Sequence, residues 1–186
     1  MLQFNFQPFP VLTSDRLHLR NLTQEDAHDH FLLRTNDDVL TYLDRPKQTQ
    51  EQTDEILQKI ISDVNNNLSI VWAITQKNDS KLIGTIGFWR TTREHHRAEI
   101  GYMLFPRFWN SGIVTEALRT ILQYGFDVMK LHSVEGHVNP NNQASIKVME
   151  KCGFVREAYF KENYHHDGRF LDTAVYSLLS SWFRPA

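Results

Sequence analysis

A glycine-bearing loop at a helix start is the first place in this chain where residue types and spacing indicate chemistry. The loop runs from Trp109 to Gly112, and apolar residues then recur at helical spacing at Val114, Leu118 and Ile121. Such a helix start presents unpaired backbone N–H groups and the positive end of the helix dipole. Because these groups bind anions, the loop is a candidate phosphate site; a helix start without a ligand is the alternative for the loop taken alone.

A carboxylate lies on the predicted strand just before this loop. Glu99 faces away from Ile100 and Tyr102, and there it can accept a proton directly or through water. An ion pair within the sheet is the alternative interpretation of this residue. His137 and Glu162 are weaker candidates for a base.

A third group of polar side chains consists of Asn139, Asn142 and Ser145. They follow a predicted strand and open a predicted helix, which ends at Gly153. Asparagine and serine are frequent at turns and helix starts, so capping is the alternative to a binding role.

The elements that position these residues follow from the spacing of apolar residues. The predicted strands cover 16–20, 69–76, 82–90, 97–105, 132–138, 156–164 and 171–182. The predicted helices begin at Thr23, cover 36–45 and 49–66, begin again at Ile113, and open once more within 139–145. The three strands between 69 and 105 are expected to form an antiparallel meander, and the last two strands a closing hairpin.

Length and composition limit the class of protein. The 186 residues are expected to form one domain, 1–186, with an N-terminal arm over residues 1–11 that packs on it. A formal net charge of −2 gives no basic field for nucleic acid or an anionic membrane, and no apolar run reaches transmembrane length. The single cysteine, Cys152, excludes an internal disulfide. We therefore expect a cytoplasmic monomer or homodimer that binds neither nucleic acid nor a membrane.

Adjacent histidines occur twice, at 95–96 and at 165–166. Neighbouring residues on a strand point to opposite faces, so neither pair chelates an ion as a unit. The Cys/His spacing of a zinc site does not occur in the sequence. We predict no metal.

Three sequence patterns resemble those of one enzyme family. The strand and loop over 98–117 resemble motif A of the GNAT superfamily of N-acetyltransferases. The wording W-x-x-G-x-x-T-E-A, the opening T-x-x-R-L-x-L-R-x-L, and V-x-P-x-N-x-x-S-x-K-V-M-E-K-C-G-F from Val138 are similar to the branch that acetylates ribosomal-protein N-termini (RimJ/RimL-like). Val114 departs from the family, because glycine or alanine is usual at that place.

The resemblance implies a fold and a reaction. The fold is α/β (α+β), with a mixed, mostly antiparallel twisted sheet that is splayed at the cofactor site and flanked by helices. The reaction is direct transfer of an acetyl group from acetyl-CoA to a primary amine, either a protein N-terminus or a small amine. Two alternatives stay open: a non-catalytic acyl-CoA-binding module of the same fold, and an antibiotic or polyamine N-acetyltransferase.

The resemblance also implies roles for individual residues. Ser145 would stabilise or protonate the departing thiolate, since no tyrosine lies between Gln143 and Cys152. By its position on the strand that should carry the thioester, Glu99 is the candidate general base. The pantetheine arm would lie along the strand end, the pyrophosphate would bind loop N–H groups, and further polar side chains would contact the cofactor. These cofactor-binding residues are Met103, Leu104, Ser111, Gly112, Ile113, Val114, Thr115, Asn139, Asn142 and Lys147. For Lys147, a solvated surface position is an equal alternative.

Overall fold

The computed structural model describes residues 2–43 and 45–184 and contains one eight-stranded sheet with helices on both faces. The strands are β1 Leu12–Thr13, β2 Leu17–Asn21, β3 Ile70–Gln76, β4 Asp79–Thr92, β5 Arg97–Leu104, β6 Ser133–Val138, β7 Val155–His166 and β8 Arg169–Leu179. The helices are α1 Ala27–Arg34, α2 Asp37–Leu40, α3 Gln50–Asn65, α4 Ile113–Asp127 and α5 Gln143–Lys151. Three short 3₁₀ turns cover Gln24–Asp26, Arg93–His95 and Pro106–Phe108.

The sheet is mixed and mostly antiparallel, as the sequence predicts. Its strand order is β1-β2-β3-β4-β5-β6-β8-β7. The meander of β3, β4 and β5 and the closing hairpin of β7 and β8 are both confirmed. The helix predicted over 36–45 is shorter in the structure, where α2 covers Asp37–Leu40. Asp44 lies outside the described residues.

The parallel pair of β5 and β6 opens into a fork. The pairing runs from Arg97 opposite Ser133 to Glu99 opposite Glu135. Beyond that point β5 continues to Leu104, and β6 continues along β8 instead. The backbone edge of β5 that faces β6 is therefore released from the ladder over its last five positions, which is the splay that the resemblance implies.

Helix α4 covers one face of the sheet. Leu118, Ile121 and Leu122 are fully buried, as helical spacing predicts. The Trp72 ring on β3 meets the Tyr124 ring on α4 at a centroid distance of 5.6 Å in an edge-on contact. Each fully buried side chain of this size contributes about 1.5–3 kcal/mol through removal from water, so this layer fixes α4, and with it the loop before α4, on the sheet.

The first residues of the chain pack against the same core. Phe6 is 1% exposed, and its backbone N–H donates to Asn67 Oδ1 at 2.7 Å. Trp72 Nε1 donates to the Pro10 carbonyl at 2.7 Å. Aromatic burial and two hydrogen bonds therefore hold the arm on the sheet.

Helices α1 and α3 cover the opposite face. Leu22, Leu57, Ala73 and Leu82 form a smaller buried cluster there. The start of α1 is fixed by Asp26, which accepts the Thr23 backbone N–H at 2.9 Å, as the predicted cap requires. Within the described residues, none of the helices has the length and apolar character needed to cross a membrane.

Candidate active site

The loop between β5 and α4 has the backbone geometry of an anion site. Gly112 is the N-cap of α4 with φ of 78°, a left-handed conformation that glycine adopts without strain. The Glu116 N–H donates to the Gly112 carbonyl at 3.0 Å, which begins the helix. The N–H groups of Ile113, Val114 and Thr115 precede that bond and have no intrahelical acceptor. The loop therefore presents donors and the positive end of the α4 dipole to the fork.

An arginine from the bend just before β2 lies beside this loop. Arg16 Nη1 donates to the Ser111 carbonyl at 3.0 Å, and its Nε contacts Glu116 Oε2 at 2.7 Å. A Cβ atom built on Gly112 would lie 3.5 Å from Arg16 Nη2. Burial alone would raise the pKa of Glu116, but hydrogen bonds from Ser14 and Arg16 outweigh it and lower that pKa. The pair therefore stays ionised and fixes a guanidinium next to the anion site.

A cavity of about 400 Å³ occupies the fork, within the usual size range of ligand pockets. Most of the residues that the sequence assigns to the cofactor line it, together with the catalytic candidate Ser145. These cofactor residues are Met103, Leu104, Gly112, Ile113, Val114, Thr115, Asn142 and Lys147. Ser111, Asn139 and Glu99 are not among its lining residues. The α2 region closes one side of the cavity through Asp38, Val39, Tyr42 and Leu43, and the sequence patterns did not single out these four residues.

The helix-start polar residues are part cap and part cavity wall. Asn142 Oδ1 accepts the Ser145 backbone N–H at 3.0 Å, so the capping interpretation of Asn142 is confirmed. Asn139 belongs to the turn before α5, where its Oδ1 accepts the Asn141 N–H at 3.0 Å. Asn142 and Ser145 also line the cavity, so for them capping and ligand contact are compatible.

A tyrosine hydroxyl does reach α5, but it comes from another element. Tyr102 on β5 donates from its hydroxyl to the Ser145 carbonyl at 3.3 Å across the fork. Burial raises the pKa of Tyr102 to about 12, so the hydroxyl keeps its proton at neutral pH. The sequence pattern pointed to Ser145 because no tyrosine lies on α5; a contact between residues 102 and 145 is not readable from local spacing.

Glu99 lies at the point where β5 and β6 part. Its side chain is buried, with the residue 7% exposed, and Oε2 contacts Arg90 Nη1 at 3.3 Å. Burial raises the pKa of Glu99, although His137 and Arg90 act in the opposite direction. Met103 lies four residues further along the same face of β5, about 13 Å away at the rise of a strand. At this distance neither a direct hydrogen bond nor one bridging water joins Glu99 to Met103, so the base role of Glu99 stays a prediction.

Glu99 has two further titratable neighbours on β6. One ligand atom each from Glu99, Glu135 and His137 lies within 4.8 Å of the others. Arg90 contacts Glu99 and Arg97 contacts Glu135, so the two carboxylates already have cationic partners. The two arginines balance the charge of the two carboxylates without a metal ion. The absence of a metal stays a prediction.

Known proteins share both the sequence and the fold. The sequence model of the GNAT acetyltransferase domain family matches residues 16–155, which is more than half of the chain. The chain belongs to the GNAT acetyltransferase family. A Bacillus subtilis protein named uncharacterized N-acetyltransferase YoaA is 34% identical over 172 residues, which cover 92% of this chain and 97% of that protein. The GNAT match and the names of such relatives show that the protein is an N-acetyltransferase.

Two other GNAT proteins carry different acceptors in their names. The spermidine N(1)-acetyltransferase of Vibrio cholerae is 27% identical over 169 residues, which cover 90% of this chain and 95% of that protein. A solved structure of RimL, a ribosomal L7/L12 alpha-N-protein acetyltransferase in complex with coenzyme A, has a TM-score of 0.83 at 23% identity and covers 91% of this chain and 98% of that chain. At 23% identity, the likeness to RimL shows a shared fold and no more. Membership in the branch that acetylates ribosomal proteins therefore stays a prediction.

Proposed function

We propose that this GNAT enzyme transfers the acetyl group of acetyl-CoA directly to a primary amine in the fork between β5 and β6. The observation that carries the proposal is one cavity that joins the anion loop at Gly112 to the released edge of β5. An N–H-rich helix start suits a pyrophosphate, and an open strand edge suits the amide groups of a pantetheine arm. Arg16 is already paired with Glu116, and it holds the loop in place through its hydrogen bond to the Ser111 carbonyl.

The remaining cofactor contacts follow the length of the cavity. Met103 and Leu104 at the end of β5 would pair with the pantetheine arm, and a backbone N–H there would polarise the thioester carbonyl. Asn142 and Lys147 on the α5 side would contact the arm and the adenosine phosphates. Each of these four residues lines the cavity. For Ser111, the proposed cofactor contact is made by its backbone N–H. For Asn139, the proposed role is to form the turn that orients α5.

The proposed chemistry requires two proton movements. The amine nitrogen bonds to the acetyl carbon while the carbon–sulfur bond breaks, and the proton released by the amine passes to Glu99 through water. The departing thiolate receives a hydrogen bond from the hydroxyl of Ser145 or Tyr102. Its proton comes from solvent, either directly or through that hydroxyl, which solvent then reprotonates. Both hydroxyls belong to residues that line the cavity.

The proposal is tested by following free thiol from acetyl-CoA with the purified protein and a panel of primary amines. Peptides with ribosomal N-termini, polyamines and amino acids represent the acceptor classes. We expect thiol release that depends on both the protein and an amine, with mass spectrometry showing one acetyl group on the amine. Tight coenzyme A binding without acetyl transfer to any amine would instead favour a non-catalytic acyl-CoA-binding module.

A further inference from the structure

Three basic side chains near Met103, a wall residue of the cavity, act on one another electrostatically and have few acceptors for their hydrogen bonds. His30 and Arg34 lie four residues apart on α1 and therefore share one face of the helix. His30 is 1% exposed and Arg34 is 8% exposed. Arg45, from the segment after α2, is partly buried and contacts Met103, a wall residue of the cavity.

The hydrogen bonds of this cluster are incomplete. Both ring nitrogens of His30 and the Nε atom of Arg45 are buried and have no partner among residues 2–43 and 45–184. Arg34 Nε donates to Gln48 Oε1 at 3.0 Å, and Arg45 Nη2 points at Met103 Sδ at 3.1 Å. An amide oxygen and a thioether sulfur are neutral acceptors, and the sulfur is a weak one.

The charge of the cluster is also uncompensated. Over the described part of the chain, the ion pairs include neither Arg34 nor Arg45. Asp26 and Asp54 act on His30 electrostatically, but Asp26 is bound to Arg20 and Asp54 accepts from Gln50. Buried guanidinium groups normally have carboxylate or phosphate partners.

The pKa directions agree with a site that lacks an anion. Burial, and then the charge of Arg45, lowers the pKa of Arg34 to about 10. Burial, followed by the two arginines, lowers the pKa of His30 to about 4, so the imidazole is neutral at pH 7 and has one N–H to donate.

We propose that His30, Arg34 and Arg45 form an anion subsite behind Met103, and that the acceptor is an amine that carries a carboxylate or a phosphate group. This rests on the proposed amine acetylation. Arg45 contacts Met103, the next-to-last residue of β5, so an anion held there places the attached amine next to the proposed acetyl position. The unbranched side chain of Met103 can shift to admit an oxygen, which is a far stronger acceptor for the guanidinium than its sulfur. A polyamine would bring further positive charge to this cluster and is disfavoured.

The subsite can be tested without turnover. Thermal unfolding of the protein saturated with coenzyme A is measured in sodium phosphate, sodium acetate and sodium chloride at equal ionic strength. Coenzyme A covers the Gly112 loop, so that loop does not contribute. We expect phosphate or acetate to raise the Tm of wild type more than that of Arg34→Met or Arg45→Met. Arg156→Met, which removes an exposed arginine on β7, serves as the matched control and is expected to respond as wild type does. Equal anion responses in all four proteins would overturn the proposal.

Asp44 lies beside Arg45 in the sequence and is the residue to examine for an internal counter-charge. In Asp44→Asn we expect the same phosphate and acetate response as in wild type. A response that appears only in Asp44→Asn would indicate that the chain supplies its own anion, and it would overturn the proposal.

Turnover distinguishes the two anion sources. Matched amines are compared as kcat/KM: alanine with alaninamide, and 2-aminoethyl phosphate with ethanolamine, with spermidine beside them. In wild type we expect one anionic member to exceed its neutral partner by about tenfold or more, the size of one charge-assisted hydrogen bond. In Arg45→Met, the ratio of kcat/KM for the anionic amine to kcat/KM for its neutral partner should approach one. The Kd of this variant for coenzyme A should differ from that of wild type by less than about twofold.

Three results would each overturn the acceptor assignment: a preference of wild type for the neutral amines or spermidine, an unchanged kcat/KM ratio in Arg45→Met, or a large rise in the coenzyme A Kd of that variant. Failure of the proposed function would differ, because acetyl-CoA would then release no thiol with any amine.

Discussion

The two sides of the fork differ in whether backbone groups or side chains would bind the ligand. The proposed cofactor side consists mainly of backbone groups: the N–H groups of the α4 start and the open edge of β5. The proposed acceptor side consists of side chains from separate segments, with His30 and Arg34 on α1 and Arg45 after α2. A backbone site serves any member of a family that uses the same cofactor, whereas a side-chain site can change with the acceptor. The cofactor side should therefore resist side-chain truncation, and the acceptor side should not.

The largest effect is expected where a side chain is added to the backbone site. Gly112→Glu places a charged side chain and a strained left-handed residue at the anion loop. We expect the affinity for coenzyme A, measured by calorimetry, to fall by about 100-fold or more, which corresponds to roughly 2.7 kcal/mol.

Gly168→Glu is the matched control for this change. Gly168 is also left-handed, with φ of 73°, and a Cβ there meets nothing within 4 Å. The control should suffer the same backbone strain but keep its coenzyme A affinity. Equal Kd values for wild type and Gly112→Glu would remove the assignment of the loop to the cofactor.

The same contrast explains what the sequence could predict. Gly112, the strand before it and the cap at Asn142 are local features, because alternation, helical spacing and capping act over a few residues. The fold could be predicted for this reason, together with three family patterns in the right order. Arg16 and Tyr102 were missed because their contacts with Ser111 and the Ser145 carbonyl span long stretches of chain.

The acceptor side was missed for a second physical reason. His30 and Arg34 look like ordinary polar residues of a surface helix, and full burial of an arginine is unusual. Their burial follows from how α1 packs on the sheet, and the pairing of Arg45 with Met103 follows from the path of the chain after α2. Neither is a property of local sequence.

The next largest effect is expected at Glu99. If Glu99 is the base, Glu99→Gln should lower kcat/KM by about 100-fold at neutral pH. Burial raises the pKa of Glu99, so wild-type activity should fall as the pH drops through that raised value, when the carboxylate becomes protonated. Glu99→Gln should lack this acid limb and should recover relative to wild type at high pH, where free amine is abundant. A pH–rate profile is the measurement.

Glu135→Gln is the matched change on the neighbouring strand. It alters the same charged cluster and should keep the acid limb of the profile. If Glu99→Gln merely scales the wild-type curve down and lowers the Tm, Glu99 acts as an ion-pair partner of Arg90 and not as the base.

A smaller effect is expected from the two hydroxyls near the proposed thiolate position. Ser145→Ala and Tyr102→Phe each remove one donor, and a hydrogen bond made mainly to the developing thiolate lowers the barrier and leaves ground-state affinity nearly unchanged. We expect the residue that serves the thiolate to lose about tenfold or more in kcat with little change in the coenzyme A Kd. Steady-state kinetics and calorimetry on both variants decide between them. A loss confined to KM in both would leave each as a binding or packing residue.

The smallest effect separates the two roles of Asn142. Its side-chain oxygen caps α5, and its side chain lines the cavity. Asn142→Ala should lower the free energy of unfolding by about 1 kcal/mol, the usual value of an N-cap. Serine is as good a cap as asparagine but lacks the amide group, so Asn142→Ser should restore the stability measured by urea unfolding. If the amide also contacts the cofactor, Asn142→Ser should still bind coenzyme A several-fold more weakly, since a typical hydrogen bond contributes about 0.5–1.5 kcal/mol. Wild-type affinity in Asn142→Ser would make Asn142 a cap alone and would leave the α5 side of the cofactor site to Ser145 and Lys147.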